Sequence, residues 1–214
     1  EIGACDWSSD VCSSDLHIDH SGRLPQLVRN GFQGRIHTHA ATRDLARVML
    51  RDAAFLEEKD AEHESRRRAR RGQEAVEPAF TRADATAAVR RMRAHQYGQP
   101  HEVVPGVTLT LHDAGHILGS ATVEVELAEG ETRRRVVFSG DLGHRGAPIL
   151  RDPEPLEQAD LVLLESTYGG RNHRDWDATW EELAGILERA RHDRGNILIP
   201  AFAVGRTQEL LYVL

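Results

Sequence analysis

Four consecutive residues, His17-Ile18-Asp19-His20, constrain this chain more than any other feature. They bring three side chains of metal-ligand type onto one short segment. Two further candidates follow at a distance. His116 lies in the glycine-rich run Gly115-His116-Ile117-Leu118-Gly119, and Asp141 in Ser139-Gly140-Asp141-Leu142-Gly143. Imidazole nitrogen and carboxylate oxygen suit zinc, which binds them at ~2.0–2.2 Å. Glycine lets backbone approach an ion or substrate closely. A ligand at a strand end is placed by a rigid sheet. His17, Asp19, His20, His116 and Asp141 are therefore the candidate metal ligands.

The segment before this cluster reads differently. Residues 1–16, and Asp6 to Leu16 above all, resemble the translation of a sequencing adaptor. They are expected to be an artefact without order and are set aside from fold reasoning. Both cysteines, Cys5 and Cys12, fall there, so residues 17–214 offer no disulfide framework. A cytoplasmic location is expected on that ground. Four acidic residues also fall there, which leaves 30 acidic against 27 basic residues and a net charge of −3 rather than −7. That balance neither demands nor excludes a polyanionic partner, since local patches matter more than totals. Lys59 is the only lysine, so the positive charge is almost all arginine. No apolar run approaches the ~18 residues of a membrane span.

Periodicity sketches the rest. Leu24, Leu27 and Val28 recur at helical spacing up to Gly31, and Gly34 to His39 reads as a short strand. Thr42 is placed to cap a helix carrying Leu45, Val48, Met49 and Leu50. Residues 54–80 are polar, and the run Arg66 to Arg71 reads as a solvated helix face or loop. A helix is predicted over Arg82 to Tyr97. The period then shortens. Val107 to Leu111 and Val123 to Leu127 alternate, and Arg135 to Phe138 is a third short apolar run, so three half-buried strands are predicted. Leu161 to Leu164 and Ile197 to Ile199 read as buried strands, Ala178 to Arg191 as a helix, and Gly205 as the start of a last helix.

Three blocks add a resemblance. They are Ala114 to Ala121, Leu164-Glu165-Ser166-Thr167-Tyr168-Gly169, and Ile199-Pro200-Ala201-Phe202-Ala203-Val204-Gly205-Arg206 with its continuation to Leu211. With the His/Asp cluster they resemble the metallo-β-lactamase superfamily and, within it, the β-CASP nucleases. The resemblance covers residues 17–214. It implies an α/β fold, the αββα metallo-β-lactamase sandwich over 17–177, truncated at both ends, with a β-CASP domain beginning at 178. It implies a zinc-dependent ribonuclease that hydrolyses single-stranded RNA with two zinc ions. His17 and His116 would serve the first ion and Asp19 and His20 the second, with Asp141 bridging. Asp19 and Glu165 are the implied catalytic residues, Glu165 by orienting a histidine that protonates the leaving oxygen. His173 resembles a loop position near the substrate cleft. Gly205 and Arg206, at a helix start, would receive a phosphate through free backbone amides. No membrane association is implied, and self-association is left open.

Several departures bear on activity. Asp15 stands where the family motif has its first histidine. The opening strands and two later histidines of the family pattern do not occur within the chain. The chain by itself is therefore expected to be inactive, unlike its intact parent. Two alternatives remain. A small-molecule hydrolase of the metallo-β-lactamase type would not need the block from Ile199 to Leu211. A non-catalytic β-CASP scaffold subunit in RNA processing would be expected to lose ligands, and those within 17–214 are all present.

Overall fold

The structure is a computed structural model and describes residues 10–214. Residues 1–9, with Cys5, lie outside the described residues. The architecture is mixed α/β, with helices and two sheets. The first sheet is parallel, in the order β1 (Val11–Cys12), β2 (Ile36–His39), β3 (Met92–His95). The second has the order β4 (His101–Val104), β5 (Val107–Asp113), β6 (Ala121–Glu129), β7 (Thr132–Phe138), β8 (Leu161–Leu163). It is antiparallel except for the parallel pair β7 and β8.

Around the first sheet pack α1 (Ile18–Ser21), α2 (Leu24–Arg29), α3 (Ala40–Ala69) and α4 (Arg82–Arg91). Their core joins Leu16, Leu24, Ile36, Leu50, Ala85 and Met92. Residues 10–16 are therefore ordered, against the expectation for 1–16. Val11 and Ser13 donate backbone N–H bonds to Arg35 and His37 carbonyls, and Leu16 is fully buried in the core. Strand pairing and an apolar anchor hold the segment in place.

Other differences have equally local causes. The helix predicted through Tyr97 stops at Arg91, because 92–95 pair in parallel with β2. Met92 is buried in the core from this strand. Strand β4 carries little apolar signal, with mostly exposed residues. Thr42 is not the cap of α3. His39 takes that role, its Nδ1 accepting the Ala41 N–H at 3.3 Å, while the Thr42 hydroxyl donates to the Gly119 carbonyl at 2.6 Å. The polar half of α3 is helical to Ala69, laced by Glu62–Arg66 and Glu64–Arg68 pairs at i,i+4 spacing.

In the second sheet, register sets one apolar face. Leu109 pairs with Val125 and Leu111 with Val123, and these side chains form a core with Tyr97. The opposite face is polar and carries His112, Glu124 and Arg135, with Glu124 3.3 Å from His112 and 3.2 Å from Arg135. Strand β8 forms as predicted but is exposed, because no described element covers its side chains. Residues 197–199 form no strand and are exposed too. They find no backbone partner among the described residues, so the apolar run alone cannot make a strand. Helices α5 (Trp176–Asp193) and α6 (Arg206–Val213) complete the element order. Among the described residues no helix is long and apolar enough to cross a membrane.

Candidate metal centre

The first sheet delivers the first ligands. After β1 the chain turns through Ser14 and Asp15, and His17 caps α1, which carries Asp19 and His20. The Ser21 hydroxyl closes this turn by donating to the Leu16 and His17 carbonyls at 2.8 and 3.0 Å. The Ser14 carbonyl accepts the Ala121 N–H at 2.8 Å and ties the turn to the second sheet. His116 projects from the loop between β5 and β6. Asp141 follows β7.

Five sequence candidates meet here, with Asp15 as a sixth member. Donor atoms of Asp15, His17, His116 and Asp141 lie within 4.8 Å of one another, and so do those of Asp19, His20 and Asp141. The two groups share Asp141. Its Oδ2 is 3.5 Å from His20 Nε2 and 3.7 Å from His116 Nε2. Ser14 Oγ engages His20 Nδ1 at 2.9 Å, which leaves Nε2 to face Asp141. Asp19 is the open member, its side chain 77% exposed and its carboxylate 3.6 Å from His20 Nε2.

Asp15 is 1% exposed. Its Oδ1 accepts the His17 backbone N–H at 2.8 Å, but its Oδ2 is buried without a hydrogen-bond partner. Burial pushes its carboxyl up, yet the hydrogen bonds of His17 and the charges of His20 and His17 outweigh this and hold it below the usual value. A hydrogen bond from the His17 side chain to Asp15 raises His17. Burial, then the charge of His17, lowers His116, and it is the neutral ring that binds metal. A buried carboxylate oxygen without a donor is costly, and a cation held by this donor set would answer it. The group suits a divalent metal.

Glu165 stands beside this group in a role the sequence did not suggest. Its Oε1 accepts the Leu142 N–H at 3.2 Å and its Oε2 the Thr167 N–H at 3.0 Å. Burial raises its carboxyl, and these bonds, with the nearby charge of His116, bring it below its usual value. Its partners among the described residues are backbone amides, not a histidine. The Glu165 N–H in turn donates to Ser139 Oγ at 3.0 Å. Glu165 thus pins the loop that carries Asp141.

His173 stacks between Tyr168 and His144, at ring-centroid distances of 4.1 and 4.6 Å. Gly205 approaches the His116 loop so closely that an added Cβ would lie 2.9 Å from Ile117 Cγ2. Its N–H is already donated to Gln208 Oε1 at 2.8 Å, so that amide is not free for a phosphate. Arg206 pairs with Glu209 at 3.3 Å. The sequence left His144 and Tyr168 without a role, because no spacing links either to His173. His37 and His95 form a separate buried pair, Nδ1 to Nε2 at 2.8 Å.

No family model matches the chain. Relatives are nonetheless clear. The chain is 40% identical over 204 residues to ribonuclease TTHA0252 of Thermus thermophilus, a match covering 95% of this chain and 42% of that protein. It is 33% identical over 210 residues to transcription termination factor FttA of Thermococcus kodakarensis, and 31% over 208 to that of Pyrococcus abyssi. Each of these covers 95% of this chain and 30% of the relative. The chain thus spans well under half the length of these relatives, while the likeness reaches into residues before His17. Among solved structures, a B3 metallo-β-lactamase with an active-site glutamic acid aligns at TM-score 0.36 and 19% identity. That alignment covers 61% of this chain and 40% of the other. The soil-metagenome B3 enzyme MEM-A1 aligns at TM-score 0.36 and 16% identity, with the same coverage.

Proposed function

Within the β-CASP group of the metallo-β-lactamase superfamily, to which this chain belongs, we propose that it forms the metal-binding part of a ribonuclease. The reaction is hydrolysis of phosphodiester bonds in single-stranded RNA, in the cytoplasm. The observation that carries this reading is the pair of ligand groups sharing Asp141. RNA as substrate is drawn from relatives named as a ribonuclease and as transcription termination factors.

Two zinc ions fit the donor set. Asp15, His17, His116 and Asp141 would hold one, and Asp19, His20 and Asp141 the other. The orphaned Asp15 Oδ2 supports the fit, because a buried carboxylate oxygen needs a positive partner. When bound, zinc supplies Lewis-acid charge at the reacting phosphodiester. The chain's own residues do the rest. Ser14 orients the His20 ring, and burial lowers the His116 pKa, which favours the neutral ring. Glu165 holds the Asp141 loop through Leu142 and is a positioning residue. Asp19, the most open carboxylate of the group, is assigned the proton of the attacking water. His173 and Arg206 lie outside the ligand groups and are assigned to substrate contact, with Gly205 setting the entry to α6.

The test is cleavage of a labelled single-stranded RNA by the full-length protein that carries this chain, with added zinc and again with chelator. Cleavage that requires zinc and disappears in Asp141→Ala is the expected result. Cleavage indifferent to both chelator and Asp141→Ala would overturn the reading.

A further inference from the structure

Ser120 turns its hydroxyl back on the loop that carries His116. The residue is 1% exposed. Its Oγ accepts the His116 N–H at 3.1 Å and the Ile117 N–H at 3.2 Å. Those two amides belong to the peptide planes on either side of the His116 Cα. Each plane is stiff, and the only soft backbone torsions of His116 lie between them. One buried oxygen that holds both planes therefore fixes both torsions. With them it fixes the direction in which the imidazole leaves the chain.

The turn that brings Ser120 into place is tight. Its N–H donates to the Ile117 carbonyl at 3.0 Å. Gly119 has φ +89°, and a Cβ on it would lie 2.6 Å from the Thr42 nitrogen. Two more hydroxyls fasten the turn from outside. Thr42 donates to the Gly119 carbonyl at 2.6 Å, and Tyr97 to the Ser120 carbonyl at 2.7 Å. Thr42 follows β2 and Tyr97 follows β3, so a loop of the second sheet is tied to the layer of the first, which delivers His17. The His17 and His116 ring centroids stand 5.2 Å apart across that joint. Among the described residues the Ser120 hydroxyl makes no hydrogen bond to Asp19 or His20, and Ser14 engages the His20 ring.

We propose that Ser120 is the positioning residue of His116, and that its hydroxyl sets metal affinity at one position of the pair. The proposal rests on the metal-dependent reading above and adds which buried group makes one seat rigid. A ligand aimed before the metal arrives loses little freedom on binding. Groups that orient ligands in this way commonly contribute about 10–100-fold in affinity.

Cobalt(II) added to the metal-free full-length protein tests this apart from cleavage, because its visible spectrum reports ligand geometry. In Ser120→Ala, one of the two equivalents should bind about 10–100-fold more weakly and with an altered spectrum. The other should keep its affinity and spectrum. Ser120→Thr, which retains the hydroxyl, should bind both as the wild type does. Tyr97→Phe, which removes only the donor to the Ser120 carbonyl, should weaken the same equivalent by a smaller factor. Wild-type affinity and spectrum for both equivalents in Ser120→Ala overturn the proposal. So does equal weakening of both, which a general loosening of the fold would give. Ser120→Thr binding as weakly as Ser120→Ala also overturns it, since the hydroxyl would then not be the cause. If Ser120→Ala does not fold, Tyr97→Phe decides, and wild-type binding of both equivalents there overturns the proposal. RNA cleavage by the same wild-type preparation separates the two ideas. This cobalt pattern without metal-dependent cleavage removes only the ribonuclease reading, whereas metal-dependent cleavage with unaltered cobalt binding in Ser120→Ala removes only the role of Ser120.

Discussion

Gly143 lies so close to Gly115 that a Cβ on it would sit 1.7 Å from the Gly115 carbonyl oxygen. The Gly143 N–H also donates to the Ala114 carbonyl at 2.8 Å. This contact joins the loop of Asp141 to the loop of His116 and sets the spacing of the two ligands. Gly143→Ala should push the loops apart. The expected cost is at least the ~1–3 kcal/mol of an overpacked site, with reduced zinc content. Thermal unfolding and elemental analysis of the variant check this. Wild-type zinc content and melting temperature together would show that the loops yield without consequence.

Asp141 serves both ligand groups, and His116 only one. Asp141→Ala should therefore lower occupancy at both metal positions, whereas His116→Ala should affect mainly one. Zinc equivalents measured after equilibrium dialysis distinguish the two variants. Two full equivalents in Asp141→Ala would end the shared role.

Glu165 uses both carboxylate oxygens as acceptors for backbone amides. Gln at this position keeps one acceptor and turns the other toward an amide N–H as a donor. Glu165→Gln should weaken zinc binding by about 10–100-fold, as losses of groups that support ligands commonly do. Competition with a chromophoric chelator measures it. An unchanged zinc affinity would return Glu165 to a role outside the metal loop.

Away from the metal, His95 gives a pH dependence. Burial first, then the charges of His101 and His37, push its pKa from 6.5 down to about 4. Its Nδ1 is buried without a partner. The unfolded chain therefore takes up the proton at higher pH than the folded one. The stability contribution is complete above pH 6.5 and is lost as pH falls from 6.5 through about 4. At 1.36 kcal/mol per pKa unit the loss is about 3 kcal/mol. His95→Gln should flatten this acid limb in urea unfolding of the metal-free protein. An identical slope in the variant would assign the acid limb to other groups.

Ligand chemistry was legible in the sequence because it depends on residue type and local spacing. His17, Asp19 and His20 are neighbours in the chain, and His116 and Asp141 lie in loops that follow β5 and β7, strands expected from an alternating and a short apolar run. The helix and strand assignments that held were those whose signal is local. What tertiary structure decided were the matters that depend on partners distant in sequence. Pairing with β2 turned 92–95 from helix into strand. The absence of a described covering element left Leu161 to Leu163 exposed despite their apolar run. Burial against α1 and the second sheet brought Asp15 into the metal group, although its segment had been read as foreign to the fold. Glu165 and Leu142, or His144 and His173, meet only because their loops run side by side. A chain specifies which atoms can bind a metal. Only the packed fold brings those atoms within bonding range, because hydrogen bonds and ring contacts act over a few ångströms, however far apart the residues lie in sequence.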